Sequence, residues 1–479
     1  MANVQINIDR TCRIERFDGF DRFVKAFKVY DPGRSFDPAF KSGRWDGSYS
    51  FVTPAGQFRL GLLKTVIAEV HRLGHRPVAN ISGDFRIGGY VPSLFDADDH
   101  LRDYQRKSVQ LMRRKVVGVF VLPTSAGKTE IILDYARCHP GVRILYLCTR
   151  SLLVVQTADR AEKYLGEPVN ILGGGHHSFD RSRTFTCAVD KTAFTWLSSG
   201  RIKDKDFDVV IVDECHRVSA DTMRNILQKL KWHRLFGFSG SYPTIKRNVI
   251  KHWRVKSLVG SPILEITDKA FNAKYGDAVG GFIPEINVYR VLNTVEIPRW
   301  VSGQEIYKAL TECETRNRII VELSKHLGRG VLVVVNHSRQ GRLLIDLMER
   351  ESVNSEFIEA KVGGSGCANA IHRLDTGVLN CLVSTPVIDE GISVNNIRHI
   401  IYAAAGKSEI QVIQRLGRGK RTKSTGRNVL SVWDFADLGH ARCAKNARQR
   451  FEVYDDLVET VHSVMPCDLR EEVEQLRQY

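Results

Sequence analysis

Hydrophobic and polar positions follow two different rhythms along the chain. In the first 95 residues, VQINI at 4–8 alternates as a half-buried strand does. Phe20, Phe23, Val24 and Phe27 recur at helical spacing and predict a helix over 18–29. KSGRWDGSYSFV at 41–52 reads as turn residues running into a strand, and a second helix is expected over 61–73. Together these elements predict a small α+β domain, closed by the acidic DADD at 96–99.

From residue 100 the rhythm changes to short, continuous apolar runs. VVGVFVL (116–122), RILYLCT (143–149), FTCAV (185–189) and DVVIVD (208–213) have no polar face. Such runs fit strands covered on both sides in a parallel sheet, and the helical stretches between them supply βαβ crossovers. A second series follows with VLVVV (331–335), CLVS (381–384), HIIYAA (399–404) and VLSVWDF (429–435). Between the two series, 272–303 reads as irregular and Gly/Pro-containing, and places a domain boundary. The expected division is 1–98 for the small domain, 99–284 and 285–440 for two parallel-sheet α/β domains, and 441–479 for a helical tail.

Charge narrows the partners. Lys plus Arg number 70 against 54 Asp plus Glu, a formal net charge of +16. The first 95 residues alone carry 14 basic against 9 acidic side chains. A surplus of this size points to a polyanion, with surface charge kept for solubility as the bland alternative. No apolar run of about 18 residues exists, and no basic amphipathic helix with a wide apolar face, so a membrane is not the expected partner. The opening MANVQINIDR has no signal-peptide pattern, and none of the ten cysteines forms a CxxC pair. The expectation is a cytoplasmic monomer with ordinary thiols, in the host cytoplasm if phage-encoded.

Three segments carry chemistry. LPTSAGKTEIIL at 122–133 is a buried strand, a small-residue loop, Gly-Lys-Thr and then a helix. Unpaired backbone N–H groups and the positive end of the helix dipole suit a triphosphate. Thr124, Ser125, Ala126 and Gly127 would wrap the phosphates, Lys128 neutralise them, and Thr129 ligate Mg²⁺. The first position of the usual pattern is Leu122 rather than Gly. VVIVDECH at 209–216 places Asp213 and Glu214 at the end of a buried strand. Two adjacent acids there are costly unless they bind something. Asp213 is the candidate Mg²⁺ holder and Glu214 the candidate base for an attacking water. QRLGRGKR at 414–421 sets arginines between glycines, with Arg418 and Arg421 as candidate fingers on a γ-phosphate and Gln414 beside them. A generic nucleic-acid grip is the competing reading of that cluster.

Taken together and in order, these segments resemble superfamily-2 helicases. Weaker motifs extend the likeness over about 100–435. LRDYQRKSV at 101–109 is similar to the family's adenine-reading segment, implying Gln105 as the adenine contact. CTRSLL at 148–153 implies Thr149 and Arg150 on a nucleic-acid backbone. FGFSGSYP at 236–243 is similar to the coupling motif, with Ser239 and Ser241 flanking Gly240 where Ala is usual, and His216 joining it to the ATP site. VSTPVIDEGISV at 383–394 implies Thr385 on backbone phosphate and Gly391 near ATP. The resemblance implies two tandem RecA-like parallel-sheet domains behind the small α+β domain, with ATP and Mg²⁺ as cofactors and a nucleotide gripped by Lys128 and the arginines.

A narrower likeness, to the UvsW-type phage helicases, rests on FKSGRWDGSYSF, RLGLL, EGISVNNI and VWDF. It implies a 3′–5′ DNA enzyme of phage recombination, repair and replication. Single-stranded, forked and four-way DNA and R-loops, with an RNA–DNA hybrid, would be its substrates. Arg44 and Trp45 are candidate DNA contacts; equally, Trp45 packs the small domain's own core. A junction-binding or strand-annealing protein with a regulatory ATPase, and an RNA helicase, are the alternative functions.

Overall fold

The computed structural model describes residues 2–9, 11–81, 96–98, 100–123, 126–149, 151–176, 179–218, 221–275, 285–293, 297–298, 300–359, 364–385, 397–404, 429–455 and 461–478. The chain divides into two units, Met1–Thr267 and Asp268–Tyr479.

The small domain opens the first unit. Its strands are β1 (Asn3–Ile8), β2 (Thr11–Ile14), β3 (Lys28–Tyr30), β4 (Ser48–Ser50), β5 (Gln57–Arg59) and β6 (Arg76–Ile81). Four form a sheet in the order β5-β2-β1-β6, and β3 and β4 pair as an antiparallel ribbon. Alternation in β1 buries Val4, Ile6 and Ile8 against Val66 and Val70 of the helix Leu63–Arg72. The helix expected over 18–29 is shorter, Phe20–Ala26, because Lys28 already belongs to β3.

The first parallel sheet follows, with β7 (Val117–Val121), β8 (Ile144–Cys148), β9 (Asn170–Leu172), β10 (Phe185–Val189), β11 (Val209–Asp213), β12 (Arg234–Ser239) and β13 (Pro262–Glu265). Its order is β13-β7-β12-β11-β8-β10-β9, parallel throughout. All five residues of β8 and of β10 are buried, as runs without a polar face require. One hydrophobic core runs from Val4 of the small domain to Val259 beside the sheet. The small domain is therefore seated on its neighbour and not a separate bead.

The second unit repeats the architecture with β14 (Glu285–Asn293), β15 (Val331–Val334), β16 (Ser355–Ile358), β17 (Cys381–Ser384), β18 (His399–Tyr402), β19 (Val429–Asp437) and β20 (Val461–Val464), in the order β16-β17-β15-β18-β19-β14-β20. This sheet is also parallel throughout.

Two expectations need correction here. The stretch 272–303 is not irregular throughout, since β14 lies inside it and pairs with β19 over nine residues. The tail is not simply helical either, because β20 adds to the sheet beside β14. Arg450, on the helix Ala441–Asp455, pins the tail to β19 through Asp434. No disulfide joins the nine cysteines whose side chains are described, seven of which are buried. Among the described residues no helix is long and apolar enough to cross a membrane.

Candidate active site

Register brings the chemistry together. Val121 of β7 pairs with Ser239 of β12, and Phe238 pairs with Asp213 of β11. The segments following β7, β12 and β11 therefore leave the carboxyl edge of three neighbouring strands. That edge is where open parallel sheets bind ligands.

The phosphate-loop candidate turns at Gly127, whose φ of 71° and ψ of 45° lie in the left-handed region. It caps the helix Lys128–Cys138, whose first N–H groups open toward the loop. A Cβ at Gly127 would run into the Gln105 amide nitrogen. The Lys128 ammonium lies 3.4 Å from the carbonyl oxygens of both Leu122 and Pro123. Thr129 is the next residue of the helix. Ala126 is buried, while Thr124 and Ser125 lie outside the described residues.

Gln105, expected to read adenine, occupies both ends of its amide within the protein. Its Oε1 accepts the Arg102 N–H at 2.9 Å, closing the start of the helix Asp103–Arg114. Its Nε2 donates to the carbonyls of Ala126 at 3.2 Å and Gly127 at 3.4 Å. Tyr104 adds a shorter bond, 2.6 Å from its hydroxyl to the Ala126 carbonyl. The segment braces the loop.

The acidic pair is held tightly. Asp213 Oδ1 accepts the Glu214 N–H at 3.0 Å, and Oδ2 accepts the Tyr146 hydroxyl at 2.7 Å. Burial, and then the Glu214 charge, push the Asp213 carboxyl above its usual range; Lys128 partly offsets them. Glu214 sits at φ 49°, left-handed for a side chain with a Cβ. That conformation costs about 1–2 kcal/mol, and such strain gathers at functional sites. A half-buried, mutually repelling acid pair is a site a divalent cation would relieve. Among the described residues there is no group of three or more His, Cys, Asp and Glu side chains to ligate a metal. A cation here would take Asp213, a hydroxyl and oxygens from elsewhere.

The coupling residues converge as well. Nδ1 of His216 is 3.2 Å from Glu214 Oε2 and 2.9 Å from Ser239 Oγ. Ser239 Oγ donates to Glu214 Oε2 at 3.4 Å and accepts the Ser241 N–H at 3.2 Å. The acidic turn and the Ser-Gly-Ser segment thus share one hydrogen-bond network. Gly237 permits it, since a Cβ there would lie 2.7 Å from Cβ and Sγ of Cys215.

The expected nucleic-acid contacts are mixed. Thr149 is half-buried just past β8, and Arg150 lies outside the described residues. Thr385 is buried past the end of β17, and its hydroxyl has no hydrogen-bond partner among the described residues. Arg44 is exposed, with its Nε on Ser42 Oγ. Trp45 is half-buried, its ring 5.2 Å from that of Tyr49 and tilted by 53°, and its indole N–H donates to the Ser48 carbonyl at 2.8 Å. Gln414, Arg418, Arg421 and Gly391 lie outside the described residues.

Sequence reading missed Tyr146 and Tyr104. The signal for Tyr146 is a phenol in an aliphatic strand, because a buried tyrosine hydroxyl needs a partner. Tyr146 lies opposite Ile211, so it shares a sheet face with Asp213 two residues on.

Comparison with known proteins gives a consistent picture. Residues 98–244 match the family described as type III restriction enzyme, res subunit, and residues 314–423 match the helicase conserved C-terminal domain. The ATP-dependent DNA helicase UvsW of Enterobacteria phage T4 is 24 % identical over 443 residues, covering 86 % of this chain and 85 % of that protein. The ATP-dependent RNA helicase SrmB of Escherichia coli is 25 % identical over 343 residues, covering 66 % and 70 % respectively. Saccharomyces cerevisiae Dbp5 bound to RNA and ADP BeF3 shares the fold with a TM-score of 0.54 at 12 % identity, covering 79 % of this chain and 97 % of that one.

Proposed function

Because the chain belongs to the superfamily-2 helicases and resembles UvsW, we propose that it is an ATP-driven DNA helicase or translocase that opens or migrates branched DNA. The carrying observation is the alignment of Lys128, Asp213–Glu214 and Ser239 along one edge of the first parallel sheet. The name of the T4 relative favours DNA, and the formal charge of +16 suits a phosphate track.

In this reading residues 1–98 are an accessory domain, 99–284 and 285–440 the two RecA-like motor domains, and 441–479 completes the second. Lys128 and the loop N–H groups bind the β- and γ-phosphates. Thr129 and Asp213 would hold Mg²⁺, which supplies charge neutralisation when bound. Glu214 orients a water and takes its proton as the water oxygen attacks the γ-phosphorus. The bond from that phosphorus to the β-phosphate oxygen breaks, and ADP and phosphate leave. Gln414, Arg418 and Arg421 stabilise the charge that develops, and Gly391 lies near the nucleotide. His216, Ser239 and Ser241 relay the state of Glu214. Thr149, Arg150 and Thr385 contact the nucleic-acid backbone, as does Arg44. Polarity is 3′–5′, and the protein acts as a monomer in the cytoplasm, that of the host if it is phage-encoded.

The test is ATPase stimulation by single-stranded, duplex, forked and four-way DNA, beside matched RNA and an RNA–DNA hybrid. Forked and four-way DNA are expected to stimulate most. Binding should weaken steeply with salt, by about 10³–10⁵ between 50 and 200 mM for 6–10 phosphate contacts. Stimulation by RNA alone would replace the DNA reading with the RNA one, which the likeness to SrmB favours.

A further inference from the structure

The small domain packs against the helix Ile245–Val259, which Thr244 joins to the Ser239–Pro243 segment. Trp253 is the centre of that seam. Phe51 lies 5.5 Å from its ring at 32°, and Phe27 meets it edge-on at 6.0 Å. Lys256 sits 5.2 Å over the same ring, and Arg254 lies 4.6 Å over Tyr49 of the small domain. Gly61 brings backbone against backbone. A Cβ there would strike the Lys256 carbonyl and come within 2.6 Å of the Ser257 oxygen and 2.8 Å of the Gly260 nitrogen.

The same helix also holds the coupling segment. Nδ1 of His252 is 2.7 Å from the Pro243 carbonyl, and the Tyr242 hydroxyl donates to the Gly260 carbonyl at 3.0 Å. Asn248 is non-helical, with φ −153° and ψ 86°, and its Oδ1 caps the Lys251 N–H at 2.9 Å. The helix is therefore two pieces joined at Asn248. The longer piece is gripped by the small domain. The shorter one follows Ser239–Pro243, whose Ser239 touches Glu214 and His216.

We propose that the small domain is a positioning element for ATP hydrolysis, with Trp253 and the Gly61 contact as its grip. Docked on this helix, it holds Ser239 and hence Glu214 in hydrolytic register, and the break at Asn248 is where register is lost when the grip loosens. The inference rests on the motor reading above.

The experiment uses full-length Gly61→Ala, Trp253→Ala and Trp253→Phe. It reads kcat and KM for ATP with forked DNA, and a melting curve for each variant. Misplacement of a catalytic group by about 1 Å costs up to about 100-fold. Gly61→Ala and Trp253→Ala are expected to lower kcat by about 10- to 100-fold with KM for ATP within about twofold. Trp253→Phe, which keeps a ring in the seam, is expected to recover most of the rate. Trp253→Leu, which keeps apolar area without the ring, replaces any alanine variant that is unfolded at the assay temperature. Folded variants with wild-type kcat overturn the inference, as does a loss that appears in KM instead. A wild-type protein without ATPase activity would overturn the motor reading itself, a different result.

Discussion

Glu214→Gln is expected to lower kcat for ATP hydrolysis by about 10²–10⁴, the usual worth of a positioned general base, with ATP affinity nearly unchanged. The substitution keeps the size of the side chain and leaves the phosphate loop untouched. An amide oxygen still accepts from Ser239, which donates to Glu214 Oε2 at 3.4 Å. What disappears is the capacity to take a proton from water. Loss of the charge also removes one of the forces that push Asp213 upward, so the folded protein should be no less stable. Steady-state ATPase beside equilibrium binding of a fluorescent nucleotide separates the two effects. A variant that hydrolyses within tenfold of wild type would remove Glu214 from the base role.

Asp434→Ala is expected to cost the second unit about 3–5 kcal/mol, the range for stripping one partner from a buried ion pair. Arg450 is 1 % exposed and Asp434 fully buried. The guanidinium gives Asp434 three hydrogen bonds, of 2.7, 2.9 and 3.2 Å, and a fourth of 3.0 Å goes to the Phe435 carbonyl. Burial pulls the Arg450 pKa down, but the Asp434 charge and hydrogen bonds outweigh it and hold the group above its ordinary value. Without Asp434 a cation is left in an apolar interior, and the tail helix loses its pin. At roughly 2–4 °C per kcal/mol for a unit of this size, the melting midpoint should fall by about 6–20 °C. The double variant Asp434→Leu/Arg450→Met should regain much of the loss, since apolar replacement of a buried pair is often neutral or better. Calorimetry of both variants checks this. A single variant within 1 °C of wild type would show that the pair does not hold the tail.

Much of the motor was legible in the sequence because its signals are local. Runs such as DVVIVD have no polar face, so they specify buried parallel strands wherever they occur. Gly-Lys-Thr after such a strand specifies a loop at a helix start for the same reason. The failures are long-range. β14 hides between Gly- and Pro-containing flanks, and its nine-residue pairing with β19 spans more than a hundred residues of chain. β20 is a four-residue strand with two exposed positions, so its alternation is too short to read. Trp253 and Gly61 carry no local signal of their contacts until the fold brings them together. The motif around Gln105 is local, but the hydrogen bonds of its amide to Arg102 and Ala126 come from the folded loop.

In the proposed function, nucleotide hydrolysis at Lys128 and Asp213–Glu214 drives strand separation. The direct measurement is the rate at which forked DNA is opened with saturating ATP by wild type and by Lys128→Ala. ATP-dependent opening is expected of the wild type, with a rate at least about 10²-fold lower in the variant, the scale of losing one preorganised charge or donor at a reacting centre. Equal opening by the two proteins would contradict it.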